Sequence, residues 1–405
     1  MSHNADVDDN NHSGAVLPLP QAPDAIELRH LRSFVAVADE LNFGRAASRL
    51  YLSQPALSRQ IRALERLVGC ELLRRSTHRV ELTLAGEALL GRSRGILAEV
   101  DDAVSATRAV GGELTGRIAR LMEPMTNMAG SLDVQEMREV NESLLAECPV
   151  PSEVDTRAVN AGGVPSLVLA PGPDRPVTLL HLHGGGYVLG SAYGYRSLVG
   201  AMCVATGSSA LLPEYRLAPE HPFPAAVDDA VRVYRWLLDR TPDPAGLTVS
   251  GDSSGAGLTM SLLAVLRQRD LPLPGRVVLL SPWLDLSCAC LAENGPSAML
   301  TLSQDYVRHY LAGHPTGDPL LDPFSADLSG YPPILVQVAT GDPLVTEARR
   351  FAERAREQGV DVELGLYPVN AHVFHHFWSF LPEAASALSS LGVFVTETRR
   401  PQRAG

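Results

Sequence analysis

Apolar side chains recur at helical spacing through the first quarter of the chain. Leu28, Leu31, Phe34, Val35 and Ala38 form one stripe, and a second short helix is expected from Gly44 to Leu50. The stretch "SQPALSRQIRALERLVG" predicts a third. Ser53 can cap it, Pro55 is tolerated in its first turn, and Gly69 ends it. Leu57, Ile61, Leu64 and Val68 would face inward, while Pro55, Ser58, Arg59, Arg62 and Arg66 would face out. Two short extended pieces follow around Ser76–Arg79. From residue 84 to residue 117 one long helix is expected, with Leu89, Leu90, Ile96, Leu97, Val100 and Val104 on a stripe.

The pattern changes after a modest helical stretch at Val134–Leu145 and the breaker Pro149-Val150-Pro151. Short apolar runs then alternate with helical segments. The runs are Val177–Leu182, Ser209–Leu212, Leu247–Ser250, Val277–Leu280, Ile334–Val338 and Val362–Tyr367. Helices such as Ala225–Leu238, Ala256–Arg267 and Glu347–Gln358 lie between them. Continuous apolar strands flanked by helices predict a doubly wound, mostly parallel α/β sheet.

Composition narrows the class. The 405 residues suffice for two or three domains, and 45% hydrophobic against 20% charged residues excludes a disordered protein. No apolar run approaches the ~20 residues that span a bilayer, which argues against a membrane partner. Residues 1–25 carry Asp but no base and no apolar core, so they are expected to be a disordered polar tail rather than a signal peptide, as is the short tail 397–405. The five cysteines are scattered, and Cys288-Ala289-Cys290 has no second pair to complete a zinc site, so reduced thiols in the cytoplasm are expected. The net charge is -12, yet residues 26–110 carry 13 Arg against 10 acids; the chain has no lysine. A basic segment on an acidic body suggests a local polyanion-binding head.

The short helix, turn and arginine-faced helix have helix-turn-helix geometry, in which the second helix enters the major groove by its N-terminal end. Charge alone favours the plainer alternative, a solvated amphipathic helix. In the body, "GDSSGAG" stands between an apolar strand and an apolar-striped helix. That context makes it a nucleophile elbow, with Ser253 as nucleophile and the Ser254 N–H as one oxyanion donor. Gly251 and Gly255 would sit where a Cβ clashes. The loop His183-Gly184-Gly185-Gly186, directly after an early strand, would supply the remaining oxyanion amides from Gly184, Gly185 and Gly186. An acid and a base should follow in the order Asp, His. Asp342 and His372 each follow a predicted strand end, with Asp285 and Glu347 as rival acids and His375 and His376 as rival bases. A metal on His372, His375 and His376 is disfavoured because no carboxylate or cysteine accompanies them.

Two resemblances go further. The run "LRHLRSFVAVADELNFGRAASRLYLSQPALSRQIRALERLVGCELLRRSTHRVELTLAGEALL" resembles the winged helix-turn-helix of LysR-type transcriptional regulators. This implies double-stranded DNA as partner, contacts from Ser53, Gln54, Pro55, Ser58, Arg59 and Arg62, wing contacts near His78 and Arg79, and a homodimer through the long linker helix. The sensor domain of that family does not follow. Instead "HGGGYVLGS", "YRLAPEHPFPAAVDDA", "GDSSGAG", "SPWLDLS", "LSGYPPILVQVATGDPL" and "HVF" resemble the hormone-sensitive-lipase-like α/β-hydrolases, bacterial esterases and lactone hydrolases among them. That implies hydrolysis of a small acyl ester or lactone without metal or organic cofactor, and it supports Asp342 and His372 as partners of Ser253. Ser254 and Ala256 stand where that family has Ala and Gly, Glu214 replaces Asp, and "DPLVTE" lacks a pair of acids. The expected organisation is therefore multidomain: an all-α winged helix-turn-helix at 26–86, a linker and dimerisation helix at 87–116, a junction with cap helices at 117–150, and an α/β-hydrolase at 151–396. Three functions follow: an enzyme with a DNA-binding head, a regulator that senses an effector through a hydrolase fold, or a fusion whose head has lost DNA.

Overall fold

The computed structural model describes residues 26–50, 52–75, 80–127, 133–173, 175–241 and 243–397. Two compact units divide between Gly112 and Glu113.

The first unit holds α1 (Leu28–Glu40), α2 (Phe43–Arg49), α3 (Gln54–Val68), the antiparallel strands β1 (Leu73–Arg75) and β2 (Val80–Leu82), and the start of α4 (Leu84–Asn127). The third helix begins and ends where its sequence demands. Ser53 caps α3 by accepting the Ala56 N–H, Pro55 lies in the first turn, and Gly69 closes it in a left-handed conformation. Leu57, Ile61 and Leu64 are fully buried against Phe34, Val37 and Phe43. Leu28 and Val68 depart from the expected stripes: each sits at a helix end and is exposed. Leu89, Leu90 and Leu97 of α4 pack onto this same core, whereas Ile96 is exposed; nothing is described of the Val104 side chain. The part of the linker stripe nearest the head is thus spent on its own domain.

The linker helix also runs ten residues beyond the expected 117, and Gly111-Gly112 lie inside it. Each glycine costs an exposed helix ~1 kcal/mol relative to Ala. Further along, Ile118 is buried with Leu381 and Ala384, and Leu114, Leu121 and Met122 pack against that cluster, so apolar burial carries the helix onward.

The second unit continues with α5 (Val134–Ala146), β3 (Asp155–Ala161), β4 (Val164–Ala170), β5 (Val177–Leu182), α6 (Arg196–Thr206), β6 (Ser209–Pro213), α7 (Ala225–Leu238) and β7 (Thr248–Asp252). It ends with α8 (Ser254–Gln268), β8 (Arg276–Leu280), α9 (Ala289–Asn294), α10 (Ser297–Leu311), β9 (Ile334–Ala339), α11 (Val345–Glu357), β10 (Val362–Tyr367) and α12 (Pro382–Thr396). The eight strands order β10-β9-β8-β7-β5-β6-β4-β3. Pairings from β6 through β5, β7, β8 and β9 to β10 are parallel, while β4 is antiparallel to both β3 and β6. All six expected strands are present. The β3–β4 hairpin was not expected, because "DTRAVNA" lies at the sheet edge and is too polar to stand out.

Alternation places helices on both faces. Leu179, Ala210, Leu212, Val278 and Leu280 face a core shared by α6 and α12. Their neighbours Leu180 and Leu211 face α7 and α8, and Val277 and Leu279 face α8 and α11. The parallel strands therefore aim their C-terminal ends at one edge, where the loops after β5, β7, β9 and β10 gather.

Candidate functional site

Ser253 is the single residue between β7 and α8, and its backbone is held at φ 49°, ψ -121°. A non-glycine side chain in that region is strained, and the surroundings enforce it. A Cβ on Gly251 would fall on the Gly255 carbonyl oxygen, and one on Gly255 would fall on that of Leu182. The elbow is possible only with glycine on both sides.

His372 follows β10 and Asp342 follows β9. His372 Nε2 lies 2.9 Å from Ser253 Oγ, and its Nδ1 lies 2.9 and 3.2 Å from the two Asp342 oxygens. The Asp342 side chain is wholly buried and also accepts the Leu344 N–H at 2.9 Å. The rivals go elsewhere. Asp285 accepts from Ser287 and Ala289 at the start of α9, and Glu347 is buried under the Leu284 and Asp285 amides. His375 bonds Gln337 at 3.2 Å, and His376 packs edge-on against Tyr195.

Electrostatics separates the histidines in the same way. Burial pushes His375 down to about 3 and His376 down to about 4, so both are neutral bystanders. Burial also pushes His372 down. The charge and hydrogen bond of Asp342, helped by Asp252 and Glu347, outweigh it, and the net direction is up. Only His372 can hold a proton near neutral pH while touching Ser253. Among the described residues, the three histidines do not form a metal-ligand cluster; the one acidic and thiol cluster, Asp285, Cys290 and Glu347, is not part of the cavity wall beside Ser253 and has Arg350 donating to its sulfur.

The glycine loop after β5 departs from expectation at one position. The Gly184 N–H donates to Asp252 Oδ1 at 2.9 Å, so it is committed inside the protein and does not serve the expected oxyanion role. The amides of Gly185 (φ 109°), Gly186 (φ 64°) and Ser254 take no partner among the described residues. The Ser254 hydroxyl, where Ala was expected, accepts the Tyr187 N–H at 3.3 Å and holds the far end of this loop. Glu214 accepts the Ala192 N–H at 2.7 Å and holds the segment beyond it.

Ser253, His372, Gly185 and Gly186 line a cavity of about 400 Å³ whose walls include Leu144, Leu189, Met299, Leu302 and Tyr306. Residues from the expected cap region contribute, Met122 and Leu145 among them. The share from α9 and α10 was not legible in the sequence, because those helices carry no motif.

On the head, Ser53, Gln54, Pro55, Arg59 and Arg62 are exposed along the N-terminal half and outer face of α3, with Ser58 half-buried beside them. Arg62 also returns a hydrogen bond to the Ser58 carbonyl at 3.3 Å. His78 and Arg79 lie outside the described residues.

A strained serine on a strand-to-helix turn, on a mostly parallel sheet with helices on both faces, defines an α/β hydrolase. Comparison with known proteins agrees. Residues 179–376 match the family described as alpha/beta hydrolase fold, and residues 28–87 match the bacterial regulatory helix-turn-helix proteins of the lysR family. An acetyl-hydrolase of Streptomyces hygroscopicus is 41% identical over 223 residues, 54% of this chain and 75% of that protein. An esterase of Acinetobacter venetianus is 33% identical over 266 residues, 64% of this chain and 88% of that protein. The crystal structure of an esterase from the bacterial hormone-sensitive lipase family superposes with a TM-score of 0.64 at 34% identity, covering 69% of this chain and 97% of that one. The chain belongs to the α/β-hydrolase fold family and bears a lysR-family helix-turn-helix head. No helix among its described residues is long and apolar enough to cross a membrane.

Proposed function

We propose that the body hydrolyses carboxylic esters or lactones through Ser253, and that the head binds double-stranded DNA. The observation that carries the first part is the unbroken hydrogen-bonded chain from Ser253 Oγ through His372 to Asp342. In this reading His372 Nε2 accepts the Ser253 proton as Oγ attacks the carbonyl carbon. The oxyanion that forms is met by the Gly185, Gly186 and Ser254 amides. Collapse expels the alcohol, which takes its proton from His372. Water, deprotonated by the same nitrogen, then releases the acid from the acyl-enzyme. Asp342 fixes the imidazole tautomer and stabilises its cation. The apolar walls favour an uncharged acyl chain, and no step calls for a metal or organic cofactor.

Purified protein should hydrolyse short-chain p-nitrophenyl esters, and Ser253→Ala should abolish this with its circular dichroism unchanged. Equal rates in both proteins would end the assignment. For the head, the exposed Arg59 and Arg62 on a capped α3 support groove binding; we further propose a homodimer through α4, acting in the cytoplasm. Binding to a palindromic duplex should weaken with salt. Arg59→Ala or Arg62→Ala should each reduce the slope of log affinity on log salt by about 0.9 for every phosphate that the arginine neutralises. Affinity and slope unchanged in both variants would displace α3 from the DNA.

One observation favours a sensing role besides catalysis. Leu114, Ile118, Leu121 and Met122 of α4 pack around Phe374 and Phe377, the turn just after His372, and Met122 lines the cavity. An occupant of the cavity therefore touches the helix that continues into the head. Duplex affinity of Ser253→Ala measured with and without a saturating ester tests this; equal affinities would leave the body as an enzyme only.

A further inference from the structure

Beneath the glycine loop lies a second Ser–His–Asp chain that the ester chemistry does not use. His181 Nδ1 is 2.9 Å from Ser250 Oγ, and its Nε2 is 3.1 Å from Asp252 Oδ1. All three residues are 0% exposed, so none reaches a substrate from bulk solvent. The Asp252 carboxylate has two further donors. Gly184 N–H meets Oδ1 at 2.9 Å, and the Tyr195 hydroxyl meets Oδ2 at 3.0 Å. The fit admits nothing more, since a Cβ on Gly184 would fall against Asp252 Oδ2.

A buried carboxylate is costly unless its lone pairs are filled, and here three donors fill them from the loop, the next strand and the start of α6. Asp252 also immediately precedes Ser253. It therefore links two things that must agree to within a fraction of an ångström: where the nucleophile stands and where the loop amides point. We propose that Asp252, oriented by His181 and Tyr195, is the positioning residue of the oxyanion hole, holding Gly184 down so that the Gly185 and Gly186 amides face the carbonyl beside Ser253. Asparagine replaces it only in part. Its oxygen can keep Gly184 and His181 and its NH2 can donate to the Tyr195 hydroxyl oxygen, but the charge that strengthens all three hydrogen bonds is lost and the loop is held less firmly.

The proposal rests on Ser253 being the nucleophile, and the test separates the two. Turnover of p-nitrophenyl butyrate is measured alongside inhibition by butylboronic acid, which takes up the serine oxygen and becomes a tetrahedral anion in the oxyanion hole. Asp252→Asn should lower kcat by about ten-fold or more with KM changed less than about two-fold, and should weaken boronic acid inhibition by a similar factor. Tyr195→Phe, which leaves the carboxylate in place, should show about three-fold of each at an unchanged melting temperature. Wild-type kcat in Asp252→Asn overturns the proposal, and so does a fall in kcat that leaves boronic acid inhibition untouched. If Asp252→Asn does not fold, Tyr195→Phe decides: wild-type kcat and inhibition in that variant overturn it. Ser253→Ala runs in parallel. Activity surviving there removes the ester mechanism itself, whereas an inert Ser253→Ala beside a wild-type-like Asp252→Asn removes only this inference.

Discussion

Asp342→Asn isolates the contribution of the buried acid. The carboxylate presents two oxygens to His372 Nδ1, at 2.9 and 3.2 Å, and the farther of them also receives the Leu344 N–H. Asparagine can keep one oxygen on Leu344, which places its NH2 against Nδ1. A donor there forces the imidazole proton onto Nε2, the nitrogen that must be bare to accept from Ser253. The imidazolium formed during attack also loses its counter-charge. At ~4 Å and an effective dielectric near 20 that pair is worth roughly 4 kcal/mol, or about three decades in rate. The wrong tautomer adds to it, so a fall in kcat of about 10⁴-fold is expected.

The same substitution moves the pH dependence in a direction the structure fixes. Burial lowers the His372 pKa, and Asp342, Asp252 and Glu347 together raise it above the ordinary value of 6.5. Because only neutral imidazole accepts the serine proton, wild-type kcat/KM should rise through a midpoint above 6.5. Removing the Asp342 charge should shift that midpoint to lower pH while the plateau falls. A pH-stat assay from about pH 5 to about pH 9 reads both quantities at once. A plateau within ten-fold of wild type, or a midpoint moving to higher pH, would refute the roles given to Asp342 and His372.

Two further outcomes follow from burial and close approach. In Gly186→Ala the new Cβ would fall into the Tyr306 ring at a backbone φ of 64°, so the loop must move; kcat/KM should drop by about 100-fold, and wild-type steady-state rates would contradict the placement of its amide. Glu347 is pushed up by burial from 4.5 to about 8, so the folded state holds its proton more tightly than the unfolded chain. Its favourable contribution is complete below about pH 4.5 and is lost as pH rises towards about 8, amounting to at most roughly 5 kcal/mol. Glu347→Gln, which keeps an acceptor for the Leu284 and Asp285 amides, should therefore have a melting temperature that falls less between those pH values than the wild type's; parallel curves would show that Glu347 ionises freely.

The fold was legible wherever burial was two-sided. Strands β5 to β9 are buried along most or all of their length, since helices cover both faces, and such runs stand out without any alternation; β10, at the sheet edge, leaves Leu366 exposed. The edge hairpin β3–β4 escaped because its outer strand faces solvent along most of its length. The helices of the head were legible from their ends, where Ser53 and Gly69 leave little freedom. The far end of α4 was not: the helix was expected to stop at residue 117 and runs on to Asn127. What keeps the helix going is the burial of Ile118 beside residues some 220 to 270 positions away, and no local propensity records that.

The site divides along the same line. Ser253 and its flanking glycines could be recognised because their constraint is local: a Cβ at Gly251 or Gly255 collides within the turn itself or with the adjoining strand. Asp342 and His372 could be selected by order along the chain, and their distances agree with that order. Direction is a different property. Three consecutive glycines offer three amides, and nothing in "HGGG" tells which of them looks at a substrate. The Gly184 amide looks away because Asp252, 68 residues later, accepts it. A backbone donor takes its aim from the acceptor the fold brings to it, so the hole that Ser253 would depend on is specified partly by the residue beside Ser253. The aspartate in "GDSSG" thus ties the glycine loop to the strand end that carries Ser253, although it is itself wholly buried.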